Sequence, residues 1–244
     1  MTHTMTFDFH NTLIECDQWF EIEIRSLVSD VLRYWHNLGE IDVPPPVIAN
    51  ADAEYRKLRR AIHGHGHELP ADRAVRMILE RVDFALPWDA IDIALDAIMR
   101  DSFRHARPVT GAPETVQRLA AEGVKLGVVS IAVYHDFLIW SLDRFGMLEA
   151  FDTIVTSAAS GFYKNRPEIY WSALAGLNAE PTHAVHIGDS LRFDVGGGAQ
   201  AGMRTVWFQR PDAKDTPSPE LMPNLIVPSM SGIAPALLAF LDPA

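Results

Sequence analysis

The octapeptide Phe7-Asp8-Phe9-His10-Asn11-Thr12-Leu13-Ile14 joins a strand to a turn near the start of the chain. Its aromatic residues favour a strand, and Asn11 and Thr12 favour a turn, so Asp8 and His10 lie where the strand ends. In an open parallel sheet, ligands bind at that edge. An aspartate there can be a nucleophile toward phosphorus or carbon, or an oxygen ligand for a hard cation. Asp8 can equally cap the turn or helix that follows, and the octapeptide alone leaves both interpretations open.

The composition indicates a globular protein with a sizeable core, because 48% of its 244 residues are hydrophobic. Its net charge of −11 argues against binding to nucleic acid or an anionic membrane, but is compatible with a phosphorylated small molecule. Cys16 is the only cysteine, which excludes an intrachain disulfide and favours a reducing compartment. We see no signal peptide or membrane-length apolar run. We therefore expect a cytoplasmic protein, either a monomer or a homodimer.

A block of helical patterns follows the octapeptide. Apolar residues recur at helical spacing from Trp19 to Leu38, and Gly39 is placed to end that helix. Three prolines then start a new segment. Further helical patterns cover residues 47–62, 71–82 and 88–104. We therefore predict an all-helical block over residues 15–106, inserted after the first strand.

The segment His63-Gly64-His65-Gly66-His67 is the only low-complexity piece of the chain. Alternate residues of an extended segment share a side, so the three imidazoles could converge on a transition metal such as zinc. Loops of this composition are more often simply exposed. The sequence leaves both interpretations open.

Beyond Pro108 the pattern changes to alternating helices and strands. Strand-like runs cover residues 125–130, 153–156, 184–189, 205–208 and 225–228. Helical patterns cover residues 110–123, 134–145, 167–176 and 233–241, the first with Thr110 as a potential N-cap. Repeated strand–helix units imply a parallel sheet with right-handed crossovers, and therefore one ligand-binding edge.

Four polar motifs lie at the ends of these strands or in the loops that follow. They are Asp8 with His10; Val128-Val129-Ser130; Ser160-Gly161-Phe162-Tyr163-Lys164-Asn165-Arg166-Pro167; and Gly188-Asp189-Ser190-Leu191-Arg192-Phe193-Asp194 with a glycine- and alanine-rich continuation. In this order they resemble the motifs of the haloacid dehalogenase-like (HAD) hydrolase superfamily, whose members are mostly phosphatases. The resemblance covers the N-terminal motif and nearly all of residues 108–241. Residues 15–106 match it only in kind, as an inserted helical cap.

The pattern and the resemblance together predict an α/β fold. A Rossmann-like parallel sheet core with helices on both faces would comprise residues 1–14 and 107–244. An all-helical cap domain would comprise residues 15–106. The cap usually sets the substrate in this superfamily, and no residue within 15–106 names that substrate.

The resemblance also implies a role for each motif. Asp8 falls at the position of the nucleophile, Ser130 at that of a hydroxyl that holds the transferring phosphoryl group, and Lys164 at that of a lysine that pairs with both. Residues implied as catalytic are Asp8, His10, Ser130 and Lys164. Those implied to bind substrate are Asn11, Ser130, Ile131 and Lys164. The implied cofactor is Mg²⁺, with ligands from Asp8, the backbone carbonyl of His10, Asp189 and Asp194.

The chemistry of phosphate-ester hydrolysis fits these residue types. A carboxylate that attacks a phosphate faces an anion, so positive charge must first cancel the repulsion. Mg²⁺ prefers hard oxygen ligands, and Lys164 can pair with both the carboxylate and the phosphate. Without such a site, Ser130 would be a cap, Lys164 a surface ion and the acids turn formers. We therefore predict a Mg²⁺-dependent phosphatase that acts on a small phosphorylated metabolite through an aspartyl-phosphate intermediate.

His10 departs from the superfamily pattern, in which phosphatases usually carry a second aspartate that serves as general acid and base. An imidazole can in principle carry out both steps near neutral pH. Dehalogenase and phosphonate-cleaving members also lack this aspartate, because their leaving group needs no proton. The alternatives are therefore a haloacid dehalogenase-like or phosphonatase-like hydrolase, for which the dehalogenase branch favours an apolar, arginine-bearing pocket, and a binding protein without turnover.

Overall fold

A computed structural model describes residues 3–242, in which six parallel strands form the main sheet. The strands of the chain are β1 (Thr4–Phe7), β2 (Ile14–Glu15), β3 (Arg107–Pro108), β4 (Lys125–Ser130), β5 (Thr153–Thr156), β6 (Ala184–Gly188), β7 (Arg204–Phe208) and β8 (Leu225–Val227). The main sheet has the order β5-β4-β1-β6-β7-β8. Because β1 lies between β4 and β6, with Phe7 opposite Val128 and Ile187, Asp8 leaves the sheet near its centre, at the carboxyl edge.

The helices fall into a consecutive group before β3 and an alternating group after it. Before β3 they are α1 (Asp17–Glu21), α2 (Leu27–Leu38), α3 (Pro45–His65), α4 (Ala71–Arg81) and α5 (Trp88–Phe103). After β3 they are α6 (Ala112–Ala121), α7 (Asp136–Arg144), α8 (Ser157–Ser160), α9 (Pro167–Leu177), α10 (Gly197–Gln200) and α11 (Ala234–Leu241). Within residues 3–242, no helix has both the length and the apolar character that crossing a bilayer requires.

Helices pack on both faces of the main sheet. Along β4, Val128 belongs to a buried cluster with Val116 of α6 and Phe137 of α7. Its neighbour Val129 belongs to a separate cluster with Ile169 of α9. Successive strand residues point to opposite faces, so these contacts place α6 and α7 on one side and α9 on the other. The predicted α/β fold class, with a parallel sheet between helical layers, is confirmed.

The helical segment leaves and rejoins the sheet region through a short antiparallel pair. Ile14 of β2 lies opposite Pro108 of β3, and Glu15 lies opposite Arg107. Between α1 and α2, residues Ile22–Ser26 form a π-helical turn. The predicted long first helix is therefore a helix with a π-helical interruption, and its end at Gly39 is confirmed by the left-handed φ of 72°.

Two local predictions were wrong: that Phe9 continues the first strand, and that Thr110 is the N-cap of α6. Strand β1 ends at Phe7, and the carbonyl of Phe9 accepts N–H groups from Leu13 (2.9 Å) and Ile14 (3.0 Å), so Phe9 belongs to a tight turn. Thr110 is not the N-cap of α6, because Gly111 with φ of 85° occupies that position. Any side chain at Gly111 would collide with the backbone of Ser231, so close approach of these two segments determines the cap.

The extended geometry predicted for the three histidines is also wrong. Helix α3 continues to His65 and ends at Gly66 with φ of 79°, so His63 and His65 lie on its last turn. His63 packs against the rings of Tyr163 and Phe193, whereas His65 and His67 pack against each other. Among residues 3–242, the three imidazoles do not come together as a group of metal ligands.

Candidate active site

A cavity of about 280 Å³ opens at the carboxyl ends of β1, β4 and β6. The residues that the sequence predicted for the site all line it: Asp8, His10, Asn11, Ser130, Ile131, Lys164, Asp189 and Asp194. Other lining residues come from the helical segment, from the loop before α9 and from the segment that follows β6: Phe20, Glu23, Ile24, Arg59, Tyr163, Ser190 and Phe193. The predicted residues thus meet in one place, although up to 186 positions separate them along the chain.

Asp8 is held in place by backbone and side-chain hydrogen bonds. Its backbone N–H donates to the carbonyl of Ile187 (2.8 Å), which extends the β1–β6 pairing by one residue. The hydroxyl of Thr12 donates to Asp8 Oδ2 (3.2 Å), and Lys164 Nζ donates to Oδ1 (2.5 Å). Asn11 has φ of 65°, a left-handed conformation that turns the chain so that Thr12 comes back toward Asp8. The carboxylate is therefore oriented before any ligand arrives.

Lys164 is fully enclosed and bridges two aspartates. Its side chain is 1% exposed, and Nζ also donates to Asp194 Oδ1 (2.6 Å). Burial alone would lower the pKa of Lys164, but the charges of Asp194 and Asp8 outweigh burial and raise it. The lysine therefore stays cationic between two carboxylates, and the surface-ion interpretation is wrong.

Asp194 is the most strongly stabilised anion of the group. Burial would raise its pKa, but the charge of Lys164 and a hydrogen bond from His186 hold the pKa below its usual range. His186 Nε2 lies 3.2 Å from Asp194 Oδ1, and the N–H of Ser190 donates to Oδ2 (2.8 Å). A side chain at Gly188 would overlap the Asp194 carboxylate, so this position requires glycine.

The three aspartates form a group suited to a divalent cation. One carboxylate oxygen each from Asp8, Asp189 and Asp194 lies within 4.8 Å of the others. Burial, with repulsion from Asp194, raises the pKa of Asp8 to about 6 despite the opposing charge of Lys164. Burial and repulsion from Asp8 raise the pKa of Asp189 to about 8. A cation that binds hard oxygen ligands would relieve this repulsion, so the residues present fit Mg²⁺.

His10 packs against aromatic residues of α1. Its ring stacks on Phe20, with 4.7 Å between centroids and 12° between planes, and lies edge-on to Trp19 at 5.5 Å. His10 Nε2 is buried and has no hydrogen-bond partner among the described residues. Burial lowers the pKa of His10 to about 4. The imidazole is therefore neutral near pH 7 and is a poor proton donor there.

Ser130 and Ile131 lie where β4 enters the loop before α7. Ser130 is 1% exposed, and its hydroxyl lies 3.3 Å from the carbonyl of Ile131, a weak contact that a ligand oxygen could replace. Asn11 also lines the cavity, from the turn after β1. These positions agree with the predicted substrate-binding set, whose roles remain predictions.

Several residues of the site carried no signal in the sequence. Thr12 was interpreted only as a turn former, yet its hydroxyl contacts Asp8. His186 lies inside a strand, and its imidazole is fixed between Thr6 Oγ1 (2.8 Å) and Asp194. Arg59 and Glu23 belong to helical patterns that resemble any amphipathic helix. A polar residue inside an otherwise apolar strand was the one available signal, and it applied to His186.

The remainder of the cavity wall is mostly apolar but contains a buried ionic group. Phe20, Ile24 and Phe193 supply the apolar surface. Arg59 Nη1 donates to Glu68 Oε1 (2.6 Å), and the guanidinium lies 5.8 Å from the ring centre of Tyr163. Substrate atoms beyond the reacting group would therefore meet apolar rings and one arginine.

Comparisons with known proteins identify similar hydrolases. A family model described as haloacid dehalogenase-like hydrolase matches residues 2–202. A glyceraldehyde 3-phosphate phosphatase from Pyrococcus furiosus is 28% identical over 207 residues, which cover 83% of this chain and 79% of that protein. Haloacid dehalogenase-like hydrolase domain-containing protein 3 from Homo sapiens is 28% identical over 240 residues, with 88% of this chain and 94% of that protein covered.

A solved structure shows that the fold is shared along the whole chain. The 2-haloacid dehalogenase from Pseudomonas syringae has a TM-score of 0.72, covers 99% of this chain and 100% of its own, and is 19% identical. At that identity the likeness concerns the fold alone. Because the family match over residues 2–202 includes all four motifs of the predicted resemblance, the chain belongs to the haloacid dehalogenase-like hydrolase family and is a hydrolase.

Proposed function

We propose that this hydrolase is a Mg²⁺-dependent phosphatase that acts on a small phosphorylated metabolite with Asp8 as its nucleophile. The observation that carries the proposal is the buried group of Asp8, Asp189 and Asp194 with Lys164 inserted between two of its members. A hydrolase that attacks an anionic phosphate needs this concentration of cation-binding carboxylates beside a fixed cation. The relative named as a glyceraldehyde 3-phosphate phosphatase supports the same class of substrate.

In this proposal, Asp8 attacks phosphorus, the P–O bond to the leaving oxygen breaks, and the alkoxide takes a proton from solvent to leave as the alcohol. Thr12 and Lys164 fix the two oxygens of Asp8, so the attacking oxygen is already oriented toward the cavity. The phosphoryl group then resides on Asp8 as an acyl phosphate. Water attacks it, releases inorganic phosphate and restores the carboxylate. Lys164 remains cationic throughout and balances the negative charge of the transferring group.

The metal would be held by Asp8, Asp189, Asp194 and the backbone carbonyl of His10. When bound, Mg²⁺ supplies positive charge that cancels the repulsion between carboxylate and phosphate. The hydroxyl of Ser130 and the groups of Asn11 and Ile131 that border the cavity would hold the phosphate oxygens. The position of each residue at the edge of the sheet supports these roles.

His10 would act in its neutral form. Because its pKa is lowered to about 4, His10 is neutral near pH 7, so it has a lone pair that can accept a proton from attacking water and no extra proton to donate to a leaving alcohol. We therefore propose His10 as the base of the second half-reaction. Phosphate esters whose leaving groups need no proton should then be the better substrates.

We further propose that residues 15–106 act as a cap domain over a core formed by residues 1–14 and 107–244. The helical segment contributes Phe20, Glu23, Ile24 and Arg59 to the cavity wall opposite the aspartates. It joins the sheet domain covalently only near the β2–β3 pair. This arrangement would let the helical segment select the substrate while the sheet domain carries out the reaction.

One observation favours a second candidate, a dehalogenase that attacks a carbon–halogen bond. Arg59 borders a cavity whose remaining wall is mostly apolar, and an arginine in such a setting can bind the carboxylate of a haloacid. Glu68 already neutralises Arg59 at 2.6 Å. The dehalogenase reaction would use Asp8 as the nucleophile but would give Asp189 and Asp194 no role as metal ligands. The phosphatase is therefore the better-supported candidate.

A substrate panel distinguishes the candidates. The protein would be assayed for phosphate release from small phosphorylated metabolites, including glyceraldehyde 3-phosphate, with Mg²⁺ and with a chelator. Chloride release from a 2-chloro acid would be measured in parallel, with Asp8→Asn as the negative control. The proposal expects Mg²⁺-dependent phosphate release. Metal-independent chloride release without phosphatase activity would establish the second candidate, and phosphate binding without turnover would indicate a binding protein.

A further inference from the structure

Glu23 connects the helical segment to the loop that follows Ser130. It lies in the π-helical turn Ile22–Ser26, and it is 2% exposed. Its carboxylate accepts the N–H of Val133 at Oε2 (2.7 Å) and that of Tyr134 at Oε1 (3.3 Å). These contacts join residues 110 and 111 positions apart in the sequence. Among residues 3–242, no other charged side chain accepts these two amides.

The loop after Ser130 depends on the helical segment for much of its hydrogen bonding. Besides the two amides held by Glu23, the carbonyl of Val133 accepts the N–H of Ala71 at the start of α4 (2.9 Å). The N–H of Ala132 donates to Ser157 Oγ (3.0 Å), and that hydroxyl lies 3.1 Å from Glu68 Oε2. Buried backbone groups need such partners, so the helical segment holds the Val133–Tyr134 part of this loop, while Ser157 of α8 holds Ala132.

The backbone of Glu23 is itself fixed. A π-helical turn changes the hydrogen-bonding pattern of a helix, and such turns are frequent at functional sites. Here the hydroxyl of Tyr55 on α3 donates to the carbonyl of Glu23 (2.6 Å). The Tyr55 contact therefore ties the backbone at Glu23 to α3. The π-helical turn and α3 together determine where the Glu23 carboxyl group lies.

A packing role alone would not explain the choice of residue. Burial raises the pKa of Glu23 to about 8, against the lowering effect of the Val133 hydrogen bond and of Arg59. The anion is costly at this position, so near pH 7 the group is mainly a neutral carboxyl, whose two oxygens can still accept the two amides. An apolar side chain would fill the space without that cost but would leave two buried N–H groups unpaired. A carboxyl group is the side chain that can accept both amides at once.

We propose that Glu23 is a positioning residue that aligns Ser130 with the phosphate when the helical segment lies over the cavity. It acts through the Val133 and Tyr134 amides, so lifting the segment away releases the loop and misaligns Ser130. The proposal rests on the phosphatase function above. It makes closure of the segment and assembly of the phosphate-binding loop a single event.

The test compares Glu23→Gln with a matched surface change, Glu21→Gln, two residues earlier in the sequence. Glutamine keeps the size of the side chain but presents one acceptor and one NH₂ group, so it can accept only one of the two amides. Glu21 forms an exposed pair with Arg25, and its side chain is 52% exposed. We expect Glu23→Gln to lower kcat roughly 10- to 100-fold with little change in KM. Glu21→Gln should match the wild type.

A double-mutant cycle with Ser130→Ala identifies the route of the effect. If Glu23 acts through Ser130, Glu23→Gln should cost little further activity in the Ser130→Ala background, by about twofold or less. Equal losses of activity in both backgrounds would overturn the proposal. So would a variant that melts at a lower temperature but keeps the wild-type kcat.

Amide hydrogen exchange tests the contact without using activity. In the wild type, the Val133 and Tyr134 amides should be protected, and in Glu23→Gln at least one should exchange faster while β4 and β6 remain protected. Unchanged protection would overturn the proposal even if the phosphatase function holds. Faster exchange in a protein that releases no phosphate from any substrate would retain the loop contact and reject the phosphatase function, so the two failures are distinguishable.

Discussion

Binding of Mg²⁺ to the aspartate group is expected to depend steeply on pH. In the metal-free protein the pKa of Asp8 is raised to about 6 and that of Asp189 to about 8, mainly by burial. The metal binds ionised carboxylates, so any proton that is still bound must leave. Between about pH 6 and about pH 8 this is one proton, chiefly from Asp189, and the apparent affinity should rise about tenfold per pH unit.

Over this range the affinity should increase about a hundredfold, which corresponds to about 2.7 kcal/mol. Titration calorimetry in buffers with different ionisation enthalpies would measure both the affinity and the number of protons released. Near pH 7 the release should be about one proton per Mg²⁺. Asp189→Asn should bind Mg²⁺ more weakly and with a flatter pH dependence, because the variant lacks both a ligand and the main titrating group.

Asp101→Asn on α5 is the matched control, since the Asp101 side chain is 58% exposed and pairs with Arg104 at the surface. It should reproduce the wild-type affinity at every pH. Binding that is independent of pH and releases no proton would refute the reasoning, because the aspartates would then be ionised before the metal arrives.

Three further predictions follow from the same site. Asp8→Asn should abolish turnover while the thermal unfolding temperature stays equal to or above that of the wild type, because the amide is nearly isosteric but far less nucleophilic; measurable turnover by a folded variant would contradict this. His10→Ala should slow hydrolysis by roughly 10²–10⁴-fold, and the wild-type rate should show no His10 titration between about pH 6 and about pH 8, since its pKa is about 4; a rate that follows an imidazole titration in that range would contradict the assignment. The metal-free protein should lose stability between about pH 7 and about pH 9, because Glu23 and Asp189, each with a pKa raised to about 8, keep protons in the folded state that the unfolded chain has already released. Histidines with a lowered pKa, such as His186, change the free energy of unfolding only below that pH range. Thermal unfolding measured at several pH values should show that the loss of stability becomes smaller when Mg²⁺ is added.

The fold was predictable from the sequence because local patterns and chain order determine most of it. Apolar strands that end in Asp8, Ser130 and Asp189 must bring those residues to one edge if the sheet is parallel. The change of pattern near Pro108 likewise predicted where the helical segment ends, and β3 begins at Arg107. These features depend on residues close together in sequence, whose preferences agree with the final structure.

The remaining features depend on contacts that sequence spacing does not reveal. Gly111 replaces Thr110 at the N-cap of α6 because Ser231 approaches it from far along the chain. The histidine segment continues α3 because Gly66, not Gly64, adopts the left-handed conformation that ends the helix. The hydrogen bonds of Glu23 and Arg59 follow from how the helical segment packs on the sheet domain, which a helical pattern alone cannot specify.

The most direct test of Asp8 as the nucleophile is whether a phosphoryl group appears on Asp8 during turnover. The wild-type protein would be mixed with a phosphate ester and Mg²⁺, quenched with acid within one turnover, digested, and analysed by mass spectrometry of the peptide that contains Asp8. We expect a phosphoryl group on Asp8 that disappears as phosphate is released, and no phosphoryl group at this position in Asp8→Asn. Full turnover with no modified Asp8, or with the phosphoryl group on another residue, would contradict it.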